Sequence, residues 1–215
     1  SHSNFSSVYF HFNLFIASFI VIISCSDVEL SEKENEADNL INTFIKKNKI
    51  PGLSVTILNG DGYIEYSKGF GYADVEKKIN INPKNSIFRI GSFSKTLAGT
   101  ALMKMYEEKK IEIDSPVGFY IKDLPTDKKK ITLKQIAGHL SGIRHYGDGD
   151  DMNLNLNYEN TSEALNIFIN DSLLFDPGTK YSYSTHAWTL LSLAMEKAYG
   201  ENFIELMKNE ILNPR

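Results

Sequence analysis

At 215 residues and 42% apolar content, the chain is long enough for one sizeable domain with a real hydrophobic core. A formal net charge of -4 argues against a nucleic-acid partner, and the basic run at 128–130 is typical of a solvated loop. The single cysteine excludes an internal disulfide.

The first 25 residues are predicted to be a targeting segment, separate from the folded domain. Their apolar run, residues 14–23, is too short to cross a bilayer, which takes roughly 20 residues, but it suits the core of a secretory signal. The run ends in Ile22-Ile23-Ser24-Cys25, which resembles the bacterial lipoprotein signal and makes Cys25 the predicted lipidation site. A plain signal peptide and a buried N-terminal element remain alternatives. Because no basic residue or initial Met precedes the run, we expect the natural beginning to lie upstream.

An acidic, polar stretch at residues 26–36 is predicted to be a tether, and residues 37–215 are predicted to form one domain. This domain should open with a helix over 37–47 and a β-hairpin, whose strands at 53–58 and 63–70 flank the turn residues Asn59-Gly60-Asp61-Gly62. Hydrophobic periodicity predicts further helices over 92–109, 132–137, 162–170, 186–199 and 201–211. The helix at 92–109 is apolar around much of its circumference and should be buried between layers. The expected class is α/β (α+β).

A glycine precedes Ser92, and Lys95 follows at the start of this apolar helix. Residues at i and i+3 share a helix face, so Ser92 and Lys95 should lie side by side near the positive end of the helix dipole. That arrangement suits a serine nucleophile activated by an amine. With 20 serines and 20 lysines in the chain, however, about two such pairs are expected by chance, so the pair needs support elsewhere.

Three blocks provide that support: Phe88-Arg89-Ile90-Gly91-Ser92-Phe93-Ser94-Lys95-Thr96, then His139-Leu140-Ser141-Gly142-Ile143-Arg144-His145-Tyr146, and finally Pro177-Gly178 followed by Tyr183-Ser184. Together they resemble the serine β-lactamase-like family, which includes class C β-lactamases, D-alanyl-D-alanine carboxypeptidases, esterases and a mitochondrial serine peptidase branch. The resemblance runs from about residue 36 to the end and implies the β-lactamase/transpeptidase-like fold.

The resemblance implies a role for each matching residue. Ser92 would be the acylated nucleophile and an oxyanion donor through its backbone N–H, Lys95 the base, and Tyr183 the phenol that carries a proton to the leaving group. Thr185, predicted to bind substrate, stands where the family usually has Asn, although the mitochondrial branch also has Thr. The family's third motif lies on a later sheet strand, which we expect to be missing here because the chain is truncated, so that the fragment is impaired.

The predicted function is therefore a serine hydrolase that cleaves amide or ester bonds of peptide or cell-wall substrates. It would be exported and lipid-anchored in the bacterial cell envelope. The alternative is a non-catalytic binding or scaffold protein that retains the fold. No cofactor and no metal are expected, because His139, His145 and His186 are not spaced as ligands and are predicted to be structural.

Overall fold

The structure is a computed structural model that describes residues 30–147 and 158–213. The described residues divide into two compact units, with the boundary between residues 89 and 90. The predicted targeting segment, including Cys25, lies outside the described residues. Within them, no helix combines the length and the apolar content that a membrane span requires.

The first unit contains a helix and a small antiparallel sheet. Its elements are α1 (Leu30–Asn48), β1 (Gly52–Leu58), β2 (Ile64–Asp74) and β3 (Ile79–Asn80), with the strands in the order β1-β2-β3. The predicted hairpin is confirmed, and Asn59 forms its turn by accepting backbone N–H groups from Asp61 and Tyr63. Because α1 begins at Leu30, residues 30–36 of the predicted tether are helical; their role as a tether stays a prediction.

The second unit is helical in its described part. Its α-helices are α2 (Ser94–Glu107), α3 (Thr126–Lys129), α4 (Leu133–Ala137), α5 (Thr161–Ala164), α6 (Thr185–Tyr199) and α7 (Phe203–Met207). Short 3-10 turns cover Gly91–Phe93, Val117–Phe119 and Leu165–Ile167, and a π-helical turn covers Lys208–Leu212. The predicted combination of helices and sheet is confirmed.

The core of this second unit is built around α6. Leu190, Leu191, Ala194 and Met195 on this helix are fully buried and pack with apolar residues of α2, α4 and α7. The N-terminus of α6 is capped by Ser184, whose side chain accepts the Ala187 N–H at 3.0 Å. This cap fixes where the chain enters the helix and therefore where the residues just before it lie.

Two expectations about burial are wrong. Helix α2 buries a stripe that includes Ala101 and Met105, but Met103 and Tyr106 on its other side are 45% and 37% exposed.

The basic run at 128–130 is not a solvated loop either, because Lys128 is only 2% exposed. Its ammonium donates hydrogen bonds to the Asp171 carbonyl at 2.7 Å and to the Asp127 carboxylate at 2.9 Å. These partners satisfy a cation that would otherwise be costly to bury.

Candidate active site

The first part of the site is the turn that leads into α2. Gly91 has φ of 52°, a left-handed conformation that costs a residue with a side chain about 1–2 kcal/mol. Ser92 follows in a 3-10 turn, two residues before the α-helix begins, whereas the sequence predicted the helix to begin at Ser92 itself. The serine and lysine nevertheless meet, because Lys95 Nζ donates to Ser92 Oγ at 3.2 Å.

The second part comes from the loop before α6, some 90 residues further along the chain. The phenol oxygen of Tyr183 lies 2.6 Å from Ser92 Oγ, and Lys95 Nζ lies 5.0 Å from the centre of the Tyr183 ring. Lys95 also donates to Thr185 Oγ1 at 3.1 Å. The structure thus brings together all four residues singled out in the sequence, and their catalytic and binding roles stay predictions.

The neighbours of Tyr183 act on its pKa in opposite directions. Partial burial raises the pKa of the phenol, while the hydrogen bonds of Lys95, Ser92 and Thr185 and the charge of Lys95 lower it. The net result is a pKa below the ordinary value. A phenol with a lowered pKa exchanges its proton more readily near neutral pH, which suits general acid–base chemistry.

Two histidines support the loop that carries Tyr183. His139 accepts the Ser182 N–H through its carbonyl oxygen at 2.9 Å and the Ser184 N–H through Nδ1 at 3.1 Å. His145 accepts the Thr185 N–H through Nδ1 at 3.2 Å. The sequence placed both in a family block but gave no signal that they lie next to Tyr183.

A cavity of about 470 Å³ lies beside Ser92. Ser92, Lys95 and Tyr183 contribute polar groups to its wall, while Trp188 and Met195 of α6 are among its apolar residues. Small-molecule sites commonly combine apolar walls with a few convergent polar groups. In the part of the chain that the structure describes, no cluster of His, Cys, Asp or Glu could hold a metal ion.

The family model described as Beta-lactamase matches residues 37–215. The human mitochondrial serine beta-lactamase-like protein LACTB is 28% identical in an alignment that covers 74% of this chain and 41% of the relative. Protein flp of Staphylococcus aureus (strain N315) is 26% identical over 188 residues, covering 86% of this chain and 37% of the relative.

Among solved structures, the octameric penicillin-binding protein homologue from Pyrococcus abyssi superimposes with a TM-score of 0.70 and 26% identity. The match covers 84% of this chain and 42% of that one. It confirms the predicted β-lactamase-like fold. The chain spans about four-tenths of the length of the curated relatives it matches.

Proposed function

Because this chain belongs to the beta-lactamase family of serine hydrolases, we propose that it cleaves an amide or ester bond through an acyl-enzyme formed on Ser92. The observation that carries the proposal is the meeting of three side chains. The three side chains come from two distant segments. Ser92 Oγ lies 2.6 Å from the Tyr183 phenol oxygen and 3.2 Å from Lys95 Nζ. Nucleophile and base are therefore within the reach that proton transfer requires.

In the acylation step, Lys95 as a neutral amine accepts the Ser92 proton while Oγ bonds to the substrate carbonyl carbon. The backbone N–H of Ser92 donates to the resulting oxyanion. Tyr183 gives its phenol proton to the leaving nitrogen or oxygen, and the Lys95 ammonium then reprotonates the phenolate. In deacylation the same pair accepts a proton from the attacking water and returns it to Ser92 Oγ.

The proposed substrates are peptides or cell-wall fragments. Thr185 is proposed to bind substrate, and its hydroxyl also accepts a hydrogen bond from Lys95 Nζ. Location in the cell envelope, with a lipid anchor at Cys25, belongs to the same proposal. It is supported by the lipoprotein-like end of the apolar run at 22–25.

The second candidate is a binding or scaffold protein without turnover. Thr185 favours it, because a hydroxyl offers less hydrogen bonding than the amide of the Asn usual in the family. The two candidates differ in one property, which is whether Ser92 can be acylated.

A fluorophosphonate probe tests this directly, because it bonds to an activated serine with loss of fluoride. We expect mass spectrometry of the labelled protein to place the adduct on Ser92. The Ser92→Ala variant should not label, and Ser172→Ala, at an exposed serine outside the site, should label like wild type. A folded wild-type protein with no adduct on Ser92 would favour the scaffold.

A further inference from the structure

His139 contacts the residue before Tyr183, the residue after it and the tyrosine ring itself. Its carbonyl oxygen and Nδ1 bind the N–H groups of Ser182 and Ser184 at 2.9 Å and 3.1 Å. Its imidazole lies on the Tyr183 ring, with 4.4 Å between ring centroids and 35° between planes. These three contacts fix the position of the Tyr183 side chain, whose phenol oxygen lies 2.6 Å from Ser92 Oγ.

The backbone of His139 is left-handed, with φ of 59°. For a residue with a side chain, this conformation costs about 1–2 kcal/mol relative to an ordinary one. Such strain persists where surrounding contacts over-determine the conformation, and it is concentrated at functional sites. At His139, the surrounding contacts that hold this conformation include those with the loop that carries Tyr183.

His145 provides a second support from the same family block. Its Nδ1 accepts the Thr185 N–H at 3.2 Å, and its ring meets Tyr183 edge to face at 5.2 Å. Its backbone is held in turn, because the Arg144 guanidinium donates to the His145 carbonyl at 3.0 Å. An imidazole accepts through Nδ1 only while it is neutral, with its single proton on Nε2.

We propose that His139 and His145 are positioning residues that hold Tyr183 against Ser92 only while both imidazoles are neutral, so that acid releases the tyrosine. The effect on acylation rests on the proposed function, whereas the binding of the loop by two neutral imidazoles does not. Protonation would place an N–H of each imidazole against the N–H of Ser184 or Thr185. Both hydrogen bonds would then be replaced by repulsion.

The surroundings of both rings disfavour protonation. His139 faces Lys95 of α2, His145, Tyr181 and Tyr183, while His145 faces Lys95, Tyr146, Tyr183 and His186 of α6. Burial is the main cause that holds the pKa of both histidines below the ordinary 6.5. The positive charges of Lys95 and of a neighbouring histidine, His145 for His139 and His186 for His145, lower it further. The unfolded chain takes up these protons first, so the stability contributed by the neutral imidazoles is fully present above about pH 6.5 and declines as the pH falls. The hydrogen bonds to the loop are lost at lower pH, when the folded histidines themselves protonate.

The tautomers can be read without any enzymatic activity, from long-range ¹H–¹⁵N NMR spectra of the imidazoles in the 215-residue chain. At about pH 7.5 we expect both rings to be neutral, with Nδ1 unprotonated. On acidification the amide protons of Ser184 and Thr185 should shift together with the histidine titration. A proton on Nδ1 of either ring at neutral pH would overturn the proposal.

The second readout is the rate of Ser92 labelling in variants that keep or remove the acceptor. His139→Asn and His145→Asn place an amide oxygen near the former Nδ1 and cannot titrate, while His145→Leu removes the acceptor. Near pH 7.5 we expect the Asn variants to label within about threefold of wild type, and the Leu variant at least about tenfold more slowly.

The ratio of wild-type to Asn-variant rates separates the histidines from other titrating groups, because Lys95 and Tyr183 are present in both proteins. This ratio should be constant above about pH 7 and fall progressively as acid protonates the histidines, whose folded-state pKa values lie below the ordinary value. Tyr181→Phe, a change at the ring edge of His139, should leave the pH profile unchanged. A ratio that does not change with pH would refute the proposal. If no variant labels at any pH, the proposed function fails, and the NMR tautomers still decide the inference.

Discussion

Replacing Gly142 with Ala should destabilise the second unit more than any ordinary glycine substitution. Gly142 has φ of 74°, and a Cβ built on it would lie 2.3 Å from the Phe175 carbonyl oxygen. Its own carbonyl accepts the Leu174 N–H at 2.8 Å, so the two chain segments cannot separate without losing that hydrogen bond. The substitution therefore adds backbone strain to a steric clash with backbone atoms.

The two contributions can be estimated separately. A left-handed conformation costs Ala about 1–2 kcal/mol, and forced overpacking costs about 1–3 kcal/mol, giving roughly 2–5 kcal/mol in all. Gly200, which ends α6 with φ of 90°, has no atom within 4 Å of its built Cβ. Gly200→Ala should therefore show the strain alone, at about 1–2 kcal/mol.

The assay is urea unfolding followed by tryptophan fluorescence. Trp188, on α6, is the chain's single tryptophan, so the signal reports the unit that carries both glycines. With a urea slope of about 1–3 kcal/mol/M, Gly142→Ala should lower the midpoint by roughly 1–3 M. If Gly142→Ala costs no more than Gly200→Ala at equal slopes, the close approach to Phe175 is not a constraint and the reasoning is wrong.

Three further changes have effects of defined size. Tyr183→Phe removes the phenol 2.6 Å from Ser92 Oγ and should slow probe labelling about 10²–10⁴-fold without changing the urea midpoint. Thr132→Ala removes the hydroxyl that accepts the Gln135 N–H in the α4 capping box and should cost about 1 kcal/mol in urea unfolding. Lys128→Met keeps the length of a buried side chain but leaves the Asp171 carbonyl without its 2.7 Å donor, which should cost about 1–3 kcal/mol in the same assay.

The changes at Tyr183 and Lys128 each have a neighbouring control. Tyr181→Phe alters the same loop as Tyr183 at an exposed position, and it should label normally. Lys129→Met alters an exposed lysine next to Lys128 and should leave the free energy of unfolding within about 0.5 kcal/mol of wild type. If Lys128→Met behaves like Lys129→Met, the buried ammonium contributes nothing net to stability.

Hydrophobic spacing and turn residues predicted the elements whose formation depends on residues close together in the sequence. The hairpin followed from two alternating runs around Asn59–Gly62, and the short helix predicted over 132–137 corresponds to α4. The predicted helix at 162–170 was less accurate, because α5 ends at Ala164 and continues as a 3-10 turn over Leu165–Ile167. Apolar spacing did not distinguish a continuous helix from these two short turns.

Contacts between distant segments could not be read from periodicity. The Ser92–Lys95 pair was visible because its members are three residues apart, but Tyr183 was found only through the family resemblance. The burial of Lys128 depends on a carbonyl 43 residues away, and nothing in a run of three lysines indicates such a partner. The same holds for His139, whose Nδ1 binds an amide 45 residues further along the chain.

One physical feature connects Tyr183, the proposed nucleophile Ser92 and the two histidines His139 and His145. Ser92 lies just before α2 and Tyr183 just before α6, and their side-chain oxygens are 2.6 Å apart, so side chains from the N-terminal ends of two long helices meet at one point. Helix N-termini carry partial positive charge, and Lys95 adds a cationic side chain there. This field favours the negative charge that develops on an alkoxide, a phenolate or an oxyanion during acyl transfer. It also opposes a second positive charge on His139 or His145 and so favours the neutral imidazoles. Only a neutral imidazole can accept, through Nδ1, the backbone N–H groups that hold the Tyr183 loop in place.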